Sequence, residues 1–506
     1  MIVLDAPLDW RAIAAIADGA PMALSDAAEQ RIRAARALVE SIVAQGIRAY
    51  GVNTGVGALC DVVVDPARQR QLSRNILMSH AVGVGAPLGE PETRAIMAAA
   101  VNNFALGFSG VRLELVAALI ALLNGSCVPC VPSRGSVGYL TQMAHIALVL
   151  IGEGQACSGG LLRSAREALQ ALQVAPLVLE AKEGLSLVNG TPCATGLSVV
   201  GLQRAERLLD WADAIAAMSI ENLRGQRIAF DEGTLALRSS PGIERVGANL
   251  RAALDGSAIL AAAVGARTQD PLCLRAVPQV HGAARDVFAY CAQVVTRELR
   301  SVTDNPMVAG TPAAPRVYSE AHAVGAALGL AADSLGTALA EVAAMSERRI
   351  DRLVNPLVSG LPAFLAADSG AGSGFMIAQY TAVSLVGENR RLAAPASLDG
   401  GVTSGLQEDH LSHATPAAVK LLQILDNAEA ILAIELLAAA QAYELQSGAH
   451  ARAPRTDALY RAVRAVAAHY RDDRPLAGDI AAARAVLRRA PPAGPHGGAE
   501  LAAPRQ

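Results

Sequence analysis

Apolar residues recur at helical spacing between Glu29 and Gln45, where Ile32, Ala35, Leu38, Val39 and Ile42 share one face and Gly46 offers a C-cap. Shorter helices are predicted over Leu113–Leu123, closed by Asn124-Gly125, over Met143–Ile151, ending at Gly152-Glu153-Gly154, and over Leu161–Leu172. Ile47–Val52 reads as a short strand running into Asn53-Thr54-Gly55-Val56-Gly57, a loop that draws on glycine's conformational freedom. Lys182-Glu183-Gly184 begins a new turn. From Gly196 to about Tyr443 breaks become rare. Ala323–Val354 is apolar almost all round, the pattern of a helix buried in a bundle, and Ser373–Leu392 and Pro416–Leu445 read alike. The chain is therefore expected to be mainly α, with a central long-helix bundle and a smaller N-terminal mixed region. Three domains are expected: 1–195, 196–447, and a C-terminal extension 448–506 whose Pro-rich end, from Pro491 to Gln506, is a mobile tail.

Composition narrows the picture. Of 506 residues 52% are apolar and only 3% aromatic, so Ala, Leu, Val and Ile supply the core, as suits closely packed helices. A net charge of −3 gives nucleic-acid binding no support from bulk electrostatics. No stretch is read as a membrane span free of charges or turn residues. The start, Met1-Ile2-Val3-Leu4-Asp5, lacks a basic region followed by an apolar one, so a signal peptide is not expected and a cytoplasmic location is. Seven cysteines in a chain this long do not form a disulfide framework. Cys127-Val128-Pro129-Cys130 has no second ligand pair for zinc and reads as a packed turn. His410 and His413 lack a third ligand, so no metal is expected.

Candidate chemistry sits in separate stretches. Tyr50 enters the Asn/Gly-rich loop, as a residue on a mobile lid would. Arg275, in Gln269-Asp270-Pro271-Leu272-Cys273-Leu274-Arg275, has the planar fork that clamps a carboxylate. Asn189, closing Lys182-Glu183-Gly184-Leu185-Ser186-Leu187-Val188-Asn189, and Gln269 are polar in apolar surroundings and need partners. Further marks are Ser79-His80-Ala81, Ser301-Val302-Thr303-Asp304-Asn305-Pro306, Ser346-Glu347-Arg348-Arg349-Ile350 and Gln407-Glu408-Asp409-His410. Gly135-Ser136-Val137-Gly138 leads into Tyr139-Leu140-Thr141-Gln142-Met143-Ala144-His145.

Together these motifs, from about Tyr50 to Asp426, resemble the aromatic amino acid lyase family of histidine and phenylalanine ammonia-lyases. The resemblance implies a mostly helical aromatic amino acid lyase (L-aspartase-like) fold and a homotetramer with active sites shared between subunits. It implies that Tyr50 removes the substrate β-proton, that Glu408 faces the ring or amine, and that His80 contacts an imidazole. Asn189, Gln269 and Arg275 would bind substrate, Arg275 through its carboxylate. Aligning Ser319-Glu320-Ala321-His322-Ala323-Val324 on the family's segment adds His322 and Ala323 to the substrate-binding set.

One departure changes the expected reaction. The family follows its Gly-Ser-Val-Gly with Ala-Ser-Gly, which cyclises into the electrophile 4-methylideneimidazol-5-one, whereas here Gly138 is followed directly by Tyr139. The family's next aspartate becomes Tyr139, and a conserved family tyrosine becomes Leu272. No cofactor is therefore expected. A quaternary ammonium leaves readily without alkylation, so the chain resembles the ergothionase-like branch. The expected reaction is loss of trimethylamine from an imidazole-type betaine, ergothioneine or hercynine, giving a urocanate-type acrylate. The alternatives are a non-catalytic homologue with a binding role and a lyase acting on histidine to give urocanate. In either lyase Tyr50 must ionise, so nearby positive charge or hydrogen-bond donors are expected to lower its titration point.

Overall fold

The computed structural model describes residues 1–446, 448 and 450–491, so the expected tail beyond Pro491 lies outside the described residues. The chain is mainly helical. Its long helices span Pro192–Asn222, Val277–Leu299, Ala326–Val354, Met376–Leu392 and Ala414–Glu444, and its strands are three to five residues long. The three long apolar stretches read from the sequence each hold a helix, with ends displaced by a few residues.

The chain divides into two compact units, neither continuous in sequence. Unit 1 comprises 1–203, 290–334 and 395–422; unit 2 comprises 204–289, 335–394 and 423–506. Part of the expected C-terminal extension is helical, at Pro454–Arg464 and Ala477–Leu487.

In unit 1, Ser25 caps the helix Asp26–Ala44 by accepting from the Ala28 amide at 3.1 Å, and Asp26 and Glu29 in its first turn complement the dipole. The expected stripe is buried: Ala35, Leu38, Val39 and Ile42 pack with Ala49, Val52 and Val308. Burial of such Leu, Ile and Val side chains contributes roughly 1.5–3 kcal/mol each. The cluster fixes both flanks of Tyr50.

The expected strand over Ile47–Val52 does not form. The Asn53 side chain closes a turn instead, accepting from the Ala49 amide and donating to the Ile47 carbonyl, both at 2.8 Å. These are backbone groups that a sheet ladder would have used. Leu161–Leu172 is likewise split into a strand, Leu161–Ser164, and a helix, Ala165–Ala171. Gly159 and Gly160, at φ 60° and 77°, form the two-residue turn that pairs Gln155–Ser158 with Leu161–Ser164. Ser164 and Glu167 then close a capping box. Cys127–Pro129 is a strand on the other edge of Gln155–Ser158, not a turn. Lys182-Glu183-Gly184 opens a short buried helix, Glu183–Val188.

In unit 2, Arg349 and Glu435 are fully buried and paired at 2.6 Å, with Ser219 and Ser346 donating to the same carboxylate. Arg349 in Ser346-Glu347-Arg348-Arg349 thus has a structural role. The expectation of no membrane-length apolar stretch needs correction. Glu183–Asn222 and Ala326–Val354 are long and apolar enough, but their most apolar windows are 100% and 56% buried within the protein. Ala326–Val354 is not buried all round, since Leu330 is exposed.

Candidate active site

Tyr50 follows the buried Ala49, and its hydroxyl accepts from the Gly57 amide at 3.1 Å. Gly57 has φ +57°, and a Cβ there would stand 2.3 Å from Ser404 Oγ, so this close approach requires glycine. Ser404 Oγ in turn accepts from the Ala58 amide at 3.1 Å. Thr403, next to Ser404, and Glu408 exchange backbone hydrogen bonds of 2.9 and 3.3 Å. The lid loop and the Glu408 segment are thereby tied together within unit 1.

They border a cavity of about 1220 Å³ lined by Tyr50, His80, Asn189, Ala323 and Glu408, five of the eight residues singled out in the sequence. His80 ends the helix Gln69–His80, with Nδ1 3.0 Å from Ser79 Oγ, and burial lowers its pKa, keeping the ring neutral. Asn189 is the C-cap of Glu183–Val188 and donates to the Asn305 carbonyl at 2.5 Å. Ala323 is buried.

The other three lie elsewhere. His322 is not among the lining residues. Its side chain is half exposed and its Nδ1 meets Glu320 Oε2 at 2.6 Å. Gln269 and Arg275 belong to unit 2. With its amide oxygen toward the guanidinium, Gln269 accepts from Arg275 Nη1 and Nη2 at 2.7 and 2.6 Å, and Arg275 Nε donates to the Asp270 carbonyl at 2.8 Å.

Two lining residues were not assigned a role from the sequence. Tyr139 donates to Glu408 Oε2 at 2.9 Å. Glu320 also faces the cavity, and its Oε1 is buried with no hydrogen-bond partner among the described residues. With Arg48 already paired to Asp61 at 2.7 Å, the two glutamates leave the lining acidic, which suits a cationic guest.

The electrostatics of Tyr50 differ from expectation. Burial raises its pKa, the Gly57 amide opposes the rise, and the neighbouring Glu408 carboxylate adds to it. Tyr139 is likewise raised, by burial and then by Glu408.

The loop before Tyr139 is held closely. Ser136 Oγ donates to the Tyr139 carbonyl at 2.8 Å and accepts from the Gly138 amide at 3.0 Å. The Gly138 carbonyl accepts from Thr415 at 2.7 Å, and the Leu140 amide donates to the Val188 carbonyl at 3.1 Å. Leu140 sits at φ +85° and ψ −69°, a strained γ-turn conformation for a branched residue.

A profile of the aromatic amino acid lyase family matches residues 8–465. A histidine ammonia-lyase of Myxococcus xanthus is 44% identical over 471 residues, covering 92% of this chain and 91% of that protein. The crystal structure of histidine ammonia-lyase from Trypanosoma cruzi superposes with a TM-score of 0.88 at 36% identity, over 96% of this chain and 93% of that one. Ergothionase from Treponema denticola, solved with desmethyl-ergothioneine sulfonic acid, superposes with a TM-score of 0.90 at 28% identity, over 96% and 98%. These likenesses overturn the expected loss of trimethylamine from a betaine. That expectation rests on one stretch after Gly138, whereas sequence identity along the whole chain is greater to the histidine ammonia-lyases, at 44% and 36%, than to the ergothionase, at 28%. The mainly helical aromatic amino acid lyase fold expected from the motifs is the fold observed. The chain belongs to the aromatic amino acid lyase family and is a carbon–nitrogen lyase.

Proposed function

We propose that this lyase removes the α-amino group of an imidazole-bearing amino acid of the histidine type, giving a urocanate-type acrylate. The observation that carries the reading is the convergence of Tyr50, His80 and Glu408 on one cavity, in a chain 44% identical to a histidine ammonia-lyase. His80, held neutral by burial, can share a hydrogen bond with the imidazole ring. We assign Glu408 to the α-ammonium, and Asn189 and Ala323, which line the same cavity, to the flanks of the substrate. Arg275, held by Gln269 and the Asp270 carbonyl outside this cavity, is proposed as the carboxylate clamp of a site shared between subunits.

The family's prosthetic electrophile does not fit the residues present. Its methylidene group requires a central residue that loses a hydroxyl. In Ser136-Val137-Gly138 the central residue is Val137, and Ser136 Oγ is engaged by the Gly138 amide and the Tyr139 carbonyl. No step is therefore routed through that group. As a phenolate, Tyr50 takes the β-proton and the C–H electron pair becomes the new C=C bond. The C–N bond breaks with its pair passing to nitrogen, so the ammonium leaves as ammonia. An intact mass equal to that of the sequence supports this prosthetic-group-free reading, and a deficit of two waters overturns it.

The proposal includes a cytoplasmic homotetramer with shared active sites. Ile377, Tyr380 and Val383 leave an exposed apolar stripe on Met376–Leu392, consistent with further association. Incubation with L-histidine, read by acrylate absorbance and ammonia release, tests the activity. Absence of both products rejects it.

A further inference from the structure

We propose that Tyr139 is a positioning residue of this site, clamping one oxygen of Glu408 so that the other is presented to the cationic end of the substrate. The inference rests on the proposed lyase reading and extends it to a residue that aligns with neither the proton acceptor nor the carboxylate clamp.

Three observations carry it. Tyr139 and Glu408 line the same cavity, and the phenol donates to Oε2 at 2.9 Å. No side chain or backbone group among the described residues hydrogen-bonds Oε1, so that oxygen remains to engage a guest. Both partners are fixed at the backbone. Glu408 is bridged to Thr403, while Tyr139 is held by Ser136 Oγ on its carbonyl and by the strained Leu140, whose amide reaches Val188. A residue merely filling the space left by the absent tripeptide would need neither the strain nor the hydrogen bond.

Burial first, and then Glu408, raise the Tyr139 pKa and keep the phenol protonated, the form that donates this hydrogen bond. The other titratable groups on the cavity are Tyr50, Cys60, His80, Arg48, Asp61 and Glu320, with Arg48 paired to Asp61. Asp409 and His410 flank Glu408 in the chain.

The test is Tyr139→Phe, which keeps the ring and removes the donor. The Glu408 carboxyl is followed by carbon NMR of protein carrying labelled glutamate, its resonance assigned by loss in Glu408→Gln. In Tyr139→Phe this resonance should move at fixed neutral pH as the hydrogen bond is lost, and KM for histidine should rise about tenfold, with a smaller change in kcat. An unmoved resonance overturns the inference, even if activity falls. Lack of turnover in the unmodified enzyme together with a moved resonance rejects the lyase reading and leaves the clamp standing. If Tyr139→Phe does not fold, the pair is tested from its other side. In Glu408→Gln on a Tyr50→Phe background, tyrosine absorbance should show one phenol, Tyr139, ionising at lower pH than in Tyr50→Phe alone, and an unchanged curve overturns the clamp.

Discussion

Lys182 and Asp304 form an ion pair at 3.0 Å with side chains 0% and 1% exposed, and Ser186 bridges them at 2.8 and 2.9 Å. Each flanks a segment of the cavity. Lys182, at φ +69°, starts the helix capped by Asn189, and Asp304 precedes Asn305, whose carbonyl accepts from Asn189. Breaking a buried pair leaves an uncompensated charge, so Lys182→Met should lower stability by about 3–5 kcal/mol. Joint replacement with Asp304→Leu should restore much of the loss. Urea unfolding of the unmodified protein and the two variants checks this, and equal stability of the single and double variants would refute it.

Replacing Tyr50 with Phe should reduce kcat by roughly 10²–10⁴-fold with little change in KM. Because burial and Glu408 raise the phenol's pKa, less phenolate exists at a given pH than for a free tyrosine. The kcat/KM profile of the unmodified enzyme should therefore climb toward about pH 10. A plateau from neutral pH upward would assign the proton abstraction to another group.

His80 titrates below an ordinary histidine because burial disfavours its charged form. Its neutral state, and with it KM for histidine, should persist below about pH 6.5. Loss of its hydrogen bond in His80→Ala should raise KM about fivefold, the equivalent of roughly 1 kcal/mol. Unchanged KM in the variant would remove His80 from the ring contact.

Gly57→Ala combines two penalties. Its left-handed backbone costs roughly 1–2 kcal/mol for an L-residue, and the new methyl meets Ser404 Oγ. Activity should fall because the Gly57 amide holds the Tyr50 hydroxyl. Adding Ser404→Ala should recover part of kcat/KM but not all, since the backbone penalty remains. Full recovery would mean that contact, not conformation, is the constraint.

What was legible in the sequence was mostly local or periodic. The stripe from Ile32 to Ile42 and the long Ala/Leu helices follow from spacing alone, and the Tyr50 loop announced itself through Asn53, Gly55 and Gly57. The strand misread over Ile47–Val52 arose because the deciding hydrogen bonds come from one side chain, Asn53, that also fits a loop. The hairpin at Gly159-Gly160 was signalled by its glycines and overlooked in favour of apolar spacing. The Tyr139–Glu408 bond joins residues 269 apart, which no window of sequence brings together. His322 aligned with a ligand position, yet the neighbouring Glu320 takes its side chain.

The clasp around Tyr139 bears on how this loop can change. Ser136 grips the Tyr139 carbonyl across Gly138, and Leu140 is bent to reach Val188. Inserting three residues there would part Ser136 from its partner and draw Tyr139 away from Glu408. Lengthening this loop is then not one local change: Ser136, Tyr139, Leu140 and Glu408 would all have to find new partners together.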